Sequence, residues 1–166
     1  RVFVDNGAEV SLITGPTQQI IEHSNVIRYD VKNAAQMYDK TVECFENCDI
    51  AILSAAVADY TPKSTFDTKL KKKTDNLVVE LVPTKDILAE LGRRKKENQI
   101  LVGFALETDN ELENAKEKLT RKKLDCIVLN SLNDQGAGFN VPTNKVTILD
   151  AKGNIYNSDL KSKYEV

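Results

Sequence analysis

Apolar residues recur along this chain in two rhythms. Residues 8–14 (AEVSLIT), 50–54 (IAILS), 100–105 (ILVGFA) and 126–129 (CIVL) are short, nearly continuous apolar runs. Runs of that length between turn signals read as strands, and continuity implies burial on both faces, as in a parallel sheet. Residues 26–31 alternate instead, as a more exposed strand does, and residues 77–82 are rich in β-formers. Between these runs the spacing turns helical. Met37, Tyr38, Val42 and Phe45 share one face of a helix over 34–47, and Leu112, Ala115 and Leu119 form a thin stripe on a helix over 110–123. Ile87, Leu88 and Leu91 follow Thr84, which reads as an N-cap, and precede Gly92, which reads as the helix end. Residues 146–150 and 155–156 flank DAKGN as a hairpin. Residues 1–7 read as the last turn of a helix closing on Gly7 in the left-handed conformation, so the expectation is an element that starts upstream. Strands alternating with helices through short connections predict one α/β domain over 1–166, with a mainly parallel sheet and a small C-terminal hairpin.

Composition narrows the class. A chain of 166 residues with 41% hydrophobic content supports one packed core, and no apolar run reaches the length of a membrane span. With a formal net charge of −2 the whole is not a generic nucleic-acid binder. The charge is unevenly spread, since 15 of the 23 basic residues fall between Lys63 and Lys123. That clustering suits a small polyanion, and for any single lysine a solvated helix face fits equally well. Cys44, Cys48 and Cys126 lack CxxC spacing and acidic or histidine companions at ligand spacing, which points to reduced, buried thiols and a cytoplasmic protein. His23 is the single histidine and sits in a loop-like IEHSN, a surface position. A hydrolase built on a histidine base is therefore disfavoured. HExxH, P-loop and GxGxxG patterns are also absent from the sequence.

Ligands of open α/β sheets bind beyond the carboxyl ends of the strands. Here those ends lead into GPT, SAAVADY, PTKD, GFALET and NSLND. Ser54, Ala55 and Ala56 would let a flat ligand approach the backbone, and tight helix–sheet packing accounts for them as well. Asp59 follows where a carboxylate could meet a sugar hydroxyl, a base amine or a phosphate-bound metal; a loop cap is the plain alternative. Lys69, Lys71 and Lys73 would share one side of an extended segment, either as a phosphate clamp or as a solvated loop. Lys118 and Lys122 lie one helical turn apart and repel unless an anion or acid sits between them. Residues 84–88 would offer free backbone N–H groups at a helix start. Chemistry on such a surface works by positioning and charge neutralisation, as in phosphoryl or nucleotidyl transfer.

Six fragments occur in order: AAVADY at 55–60, KLKK at 69–72, VPTKDIL at 82–88, GFALET at 103–108, KEKLTRKKLD at 116–125 and GFN at 138–140. Together they resemble phosphopantothenoylcysteine synthetase, the ligase domain of the bacterial coenzyme A biosynthesis flavoprotein, over nearly the whole chain. The resemblance implies a Rossmann-like three-layer fold and a homodimer. It implies that CTP activates the carboxylate of 4'-phosphopantothenate as an acyl-cytidylate, that cysteine then attacks to form the amide, and that Mg2+ accompanies the triphosphate. FMN would belong only to a fused decarboxylase domain outside this chain. Residue by residue, the resemblance puts Ser54, Ala55 and Ala56 against the nucleotide, Asp59 at the nucleotide or its metal, and Lys69 on the reacting phosphate. The backbone of Lys85, Asp86, Ile87 and Leu88, with Phe104, would line the base and ribose pocket, and Lys118 and Lys122 would hold triphosphate oxygens.

Two departures qualify it. The family's first strand, its glycine-rich turn and a TN-x-S-x-G-like segment have no counterpart here, so the resemblance implies a ligase domain lacking its first strand, with the CTP site kept and much of the pantothenate-side chemistry lost. Lys85 stands where many relatives have proline, which argues for a helix-start role rather than a catalytic one. The rival readings are another Rossmann-like nucleotide- or NAD(P)-binding oxidoreductase, and an interaction domain without catalysis. Against the first, Gly15-Pro16 follows strand 8–14 where an acidic residue would hold an adenosine ribose.

Overall fold

The computed structural model describes residues 1–66, 68–69, 71, 76–107, 110–131 and 141–166, with the side chains of residues 107 and 131 excepted. Lys72, Lys73, the last residue of GFALET and the glycine-rich segment with GFN lie outside the described residues.

A short helix α1 (Val2–Asp5) opens the chain. It ends in a Schellman arrangement: Gly7 N–H donates to Val4 O at 2.9 Å, and Ala8 N–H donates to Phe3 O at 3.0 Å. Gly7 has φ +87°, a left-handed value that glycine adopts without a Cβ clash, as the sequence suggested. Strands β1 (Val10–Thr14) and β2 (Val26–Asp30) pair in parallel as a two-stranded sheet. Helix α2 (Ala34–Phe45) starts at Asn33, whose side chain accepts from Gln36 N–H at 2.9 Å.

The main sheet has the order β10-β9-β7-β6-β3. Strands β3 (Ile50–Leu53), β6 (Ile100–Glu107) and β7 (Cys126–Ser131) are parallel neighbours. Strand β9 (Val146–Asp150) runs antiparallel to β7 and forms the expected hairpin with β10 (Ile155–Asn157), whose turn carries Gly153 at φ +90°. Between β3 and β6 the chain makes a small antiparallel arm, β4 (Tyr60–Pro62) with β5 (Leu81–Pro83), and then helix α3 (Ile87–Arg94). Helix α4 (Glu111–Arg121) joins β6 to β7. Strands β8 (Thr143–Asn144) and β11 (Lys161–Ser162) close a minor pair near the C-terminus.

The core lies on one face of the main sheet. Leu101, Ala105, Ile127, Leu129 and Leu149 meet Phe45 of α2, Ile87, Leu88 and Leu91 of α3, and Ala115 and Leu124 at α4. Gly103 belongs to this layer because Leu88 and Leu124 side chains occupy the space a Cβ would need. The opposite face behaves differently from the expectation of strands buried on both sides. Ile50 and Ile52 on β3 are 45% and 43% exposed, and Ile100 and Leu106 on β6 are exposed too. Among the described residues β3 pairs with β6 alone, so this corner of the sheet is an edge with one bare face. Three local expectations also change. The strand expected at 77–82 is confined to Leu81–Pro83. Thr84 is not the N-cap of α3; Asp86 is, its Oδ1 accepting from Ala89 N–H at 3.0 Å. Gly92 does not end α3, which runs on to Arg94; the glycine serves packing instead, since a Cβ at 92 would strike the backbone carbonyl of Lys122.

Candidate functional site

The parallel strands β3, β6 and β7 finish on one rim. The loop leaving β3 presents Ser54, Ala55 and Ala56 exposed, with Val57 turned back against the core. Small side chains there leave the backbone reachable from solvent. Thr84 latches this loop to the approach of α3: its hydroxyl donates to Ala58 O at 2.7 Å and its N–H donates to Asp59 O at 2.8 Å. Thr84 thus fixes two segments that are far apart in sequence, and Asp59 is left with its side chain exposed at their junction.

Helix α3 begins at that junction and is tied to the α4–β7 segment at both ends. At its start Lys122 Nζ pairs with Asp86 Oδ2 at 2.7 Å, the Lys122 side chain being 12% exposed and that of Asp86 51%. Burial by itself raises the Asp86 carboxyl, but the hydrogen bond from Lys122, the N–H of Ala89 and the positive charge nearby outweigh it and hold the group below its ordinary range. At the other end Lys95 Nζ contacts both oxygens of Asp125 at 2.7 Å, and the same carboxylate accepts from Leu101 N–H at 2.7 Å. Along the middle, Gly92 admits the Lys122 backbone. Lys118, one turn before Lys122, donates to Phe104 O at 3.1 Å and so reaches across to β6.

The sequence therefore named residues that the fold assembles in two linked groups. Ser54–Ala56, Asp59 and the Lys85–Leu88 segment are joined through Thr84; Lys118 and Lys122 are joined to Phe104 and Asp86. Of the two like charges, Lys122 is met by the carboxylate of Asp86 and Lys118 by the carbonyl of Phe104. Lys85 turns its ammonium onto the Tyr38 ring, 4.3 Å from the centroid, and so packs on α2 while its backbone stays at the helix start. Lys69 is exposed on the segment between β4 and β5 and has no hydrogen bond or ion pair among the described residues to bring it to the others. Asn130, near the end of β7, keeps a buried Oδ1 without a hydrogen-bond partner among the described residues. From sequence Thr84 reads as a cap and Gly92 as a helix end; the spacing of PTKD from SAAVADY gives no sign of the latch, and a glycine inside an amphipathic stripe is the one local sign of the close approach.

A lone exposed carboxylate at Asp59 fits a magnesium ion carried in by phosphates, which takes one or two protein carboxylates and phosphate oxygens. Among the described residues there is no cluster of three metal-ligating side chains that would form a resident site. The three cysteines carry no disulfide, and burial pushes the Cys48 and Cys126 thiols up, away from reactive thiolate. His23 is exposed, and its Nδ1 accepts from Asn25 N–H at 3.1 Å within its own turn.

Residues 1–166 match the family described as DNA/pantothenate metabolism flavoprotein C-terminal domain. The chain belongs to that family. A protein named cysteine/cysteine sulfinic acid decarboxylase, from an unknown prokaryotic organism, is 54% identical over 160 residues, covering 96% of this chain and 45% of that protein. The coenzyme A biosynthesis bifunctional protein CoaBC of Bacillus subtilis (strain 168) is 44% identical over 163 residues, covering 98% of this chain and 40% of that protein. Among solved structures, the C-terminal domain of a CoaBC superposes with a TM-score of 0.80 at 35% identity, covering 99% of this chain and 71% of that one. The chain spans less than half the length of these two curated relatives. Membership in the DNA/pantothenate metabolism flavoprotein family and the likeness to the CoaBC domain bear out both the family resemblance and the Rossmann-like α/β fold.

Proposed function

We propose that the chain is the ligase part of a coenzyme A biosynthesis protein, joining 4'-phosphopantothenate to cysteine at the expense of CTP. The observation that carries the proposal is the junction of the small-residue loop after β3 with the start of α3, where Lys122 meets Asp86, and the reach of Lys118 over β6. Such a junction offers free backbone and two ammonium groups to one polyanion. The first step is attack by a pantothenate carboxylate oxygen on the α-phosphorus of CTP; the new P–O bond forms as the bond to pyrophosphate breaks. The cysteine amine then attacks the acyl carbon, the C–N bond forms, CMP leaves with the C–O electrons, and the amine releases a proton.

In this reading Lys118 and Lys122 hold triphosphate oxygens, and Lys69 swings onto the reacting phosphate from its exposed segment. The backbone of Ser54–Ala56 and Lys85–Leu88, with Phe104, receives the nucleoside. Asp59 meets the nucleotide or its magnesium, which supplies charge neutralisation when bound. Orientation and developing-charge stabilisation carry the rate, each strong donor contributing about 3 kcal/mol of barrier lowering. We assign the reaction to the cytoplasm, where CTP is available. The exposed apolar arm around β4 and β5, with Leu77 72%, Val78 88% and Leu81 54% exposed, supports a homodimer in which a second copy covers it.

The test is pyrophosphate release on mixing the chain with CTP, magnesium and 4'-phosphopantothenate, followed by cysteine-dependent formation of CMP. Release in both steps supports the ligase; CTP binding with neither product limits the chain to nucleotide binding. The decarboxylase name of the 54%-identical relative favours a second reading, a part in amino-acid decarboxylation. Carbon dioxide release from cysteine or cysteine sulfinate without CTP would select it.

A further inference from the structure

We propose that Asp86 is a positioning residue that acts through Lys122: it holds the lysine ammonium beside the start of α3, within reach of the phosphates of a nucleotide seated there. The inference rests on the nucleotide reading above and adds a role for a side chain that the resemblance counts only as part of a backbone segment.

Three observations converge on it. One carboxylate does two jobs, Oδ1 capping α3 through Ala89 N–H at 3.0 Å and Oδ2 taking Lys122 Nζ at 2.7 Å. The lysine is threaded rather than free. Its backbone carbonyl is seated against Gly92, and six residues of helix, about 9 Å of rise, separate Gly92 from Asp86. The stem must therefore lie along α3 to deliver its head, and at 12% exposure it has little room to swing. An ammonium has three donors. Asp86 uses one of them, which leaves the others for phosphate oxygens at a point where α3 also presents its first N–H groups. The lysine arrives pre-ordered, so less side-chain entropy is lost when the anion binds.

Asp86→Asn separates the two jobs, because asparagine caps a helix about as well as aspartate but does not anchor an ammonium with charge. CTP affinity is measured by titration calorimetry with magnesium, and KM and kcat by pyrophosphate release, for the wild type, D86N, Lys122→Met and the double variant. The positioning role predicts that D86N weakens CTP about tenfold in Kd and KM, equivalent to about 1.4 kcal/mol, with kcat within about twofold. It also predicts that D86N adds nothing further once Lys122 is methionine. A purely structural Asp86 would lower the melting temperature and leave the KM of the folded fraction unchanged. A direct contact from Asp86 to the nucleotide would make the two losses additive in the double variant. Tighter CTP binding by D86N would make Asp86 a competitor of the phosphates. Each of those three results overturns the inference while leaving the nucleotide site standing; failure of the wild type to bind CTP at all overturns both.

Discussion

Single residues decide how this surface is built, and one of them, Lys123, occupies a conformation its type does not favour. Lys123 has φ +52° at the position after the C-cap of α4. There Lys123 N–H donates to Thr120 O and Leu124 N–H to Leu119 O, the pair of bonds that closes a Schellman motif. Glycine is the usual occupant, and a Cβ in that region costs about 1–2 kcal/mol. Lys123→Gly is expected to stabilise the fold by about 0.5–1 kcal/mol after the added flexibility of the unfolded chain is counted. Thermal unfolding would show it as a rise of about 2–4 °C per kcal/mol; a fall would mean that the Lys123 side chain contributes more than its backbone strain removes. The same scale marks where sequence was readable. Gly7 declared its left-handed turn because α1 closes on it locally. Asp86 did not declare its cap, because Thr84 stands two residues earlier with an equally good capping side chain, and only the distant Ala58 and Asp59 carbonyls draw Thr84 away.

Helix α3 is the element on which the account turns. Its apolar face was legible in the spacing of Ile87, Leu88 and Leu91, all buried. Its charge order also suits the helix dipole, with Asp86 at the start and Arg93, Arg94 and Lys95 at the end. Glu90, pulled down to about 2 by its hydrogen bonds to Arg93 and Arg94, keeps that outer face ionised. The clamp by Lys122 and Asp125 was not legible, since it pairs residues 36 and 30 positions apart, and no local period reports such partners. Gly92 sits at the centre of the clamp. Alanine there would gain about 1 kcal/mol of helix propensity, yet its Cβ would meet the backbone carbonyl of Lys122, which moves only with the end of α4. Gly92→Ala is expected to destabilise by a net of about 1–3 kcal/mol and to push Lys122 outward, weakening CTP along with stability. Chemical denaturation and CTP titration on the same preparation check both; unchanged values would show that α3 and α4 slide apart freely.

Across the whole molecule, the mainly parallel sheet and the C-terminal hairpin followed from pattern, because apolar runs alternating with helices through short connections admit few topologies; the strand order did not. What pattern could not tell is which faces stay bare. The run 50–54 looks doubly buried, yet Ile50 and Ile52 are exposed at the sheet edge, and burial depends on neighbours that a period of two does not name. The arm at β4 and β5 is a further apolar exposure, with Phe66, Leu77, Val78 and Val79 all open. If a second copy covers it, sedimentation should give twice the 18.5 kDa chain mass, and replacing Val78 and Val79 with lysine should give the monomer. A monomeric wild type would remove the dimer from the account. Residues from separated segments, in this reading, form one nucleotide crevice at the carboxyl ends of the strands. A crystal structure of the chain grown with CTP and magnesium tests it most directly. Triphosphate oxygens are expected within hydrogen-bond distance of Lys118 and Lys122, with the nucleoside between Phe104 and the start of α3; a nucleotide bound elsewhere, with Lys118 still on the Phe104 carbonyl and no phosphate near Lys122, would rule the crevice out.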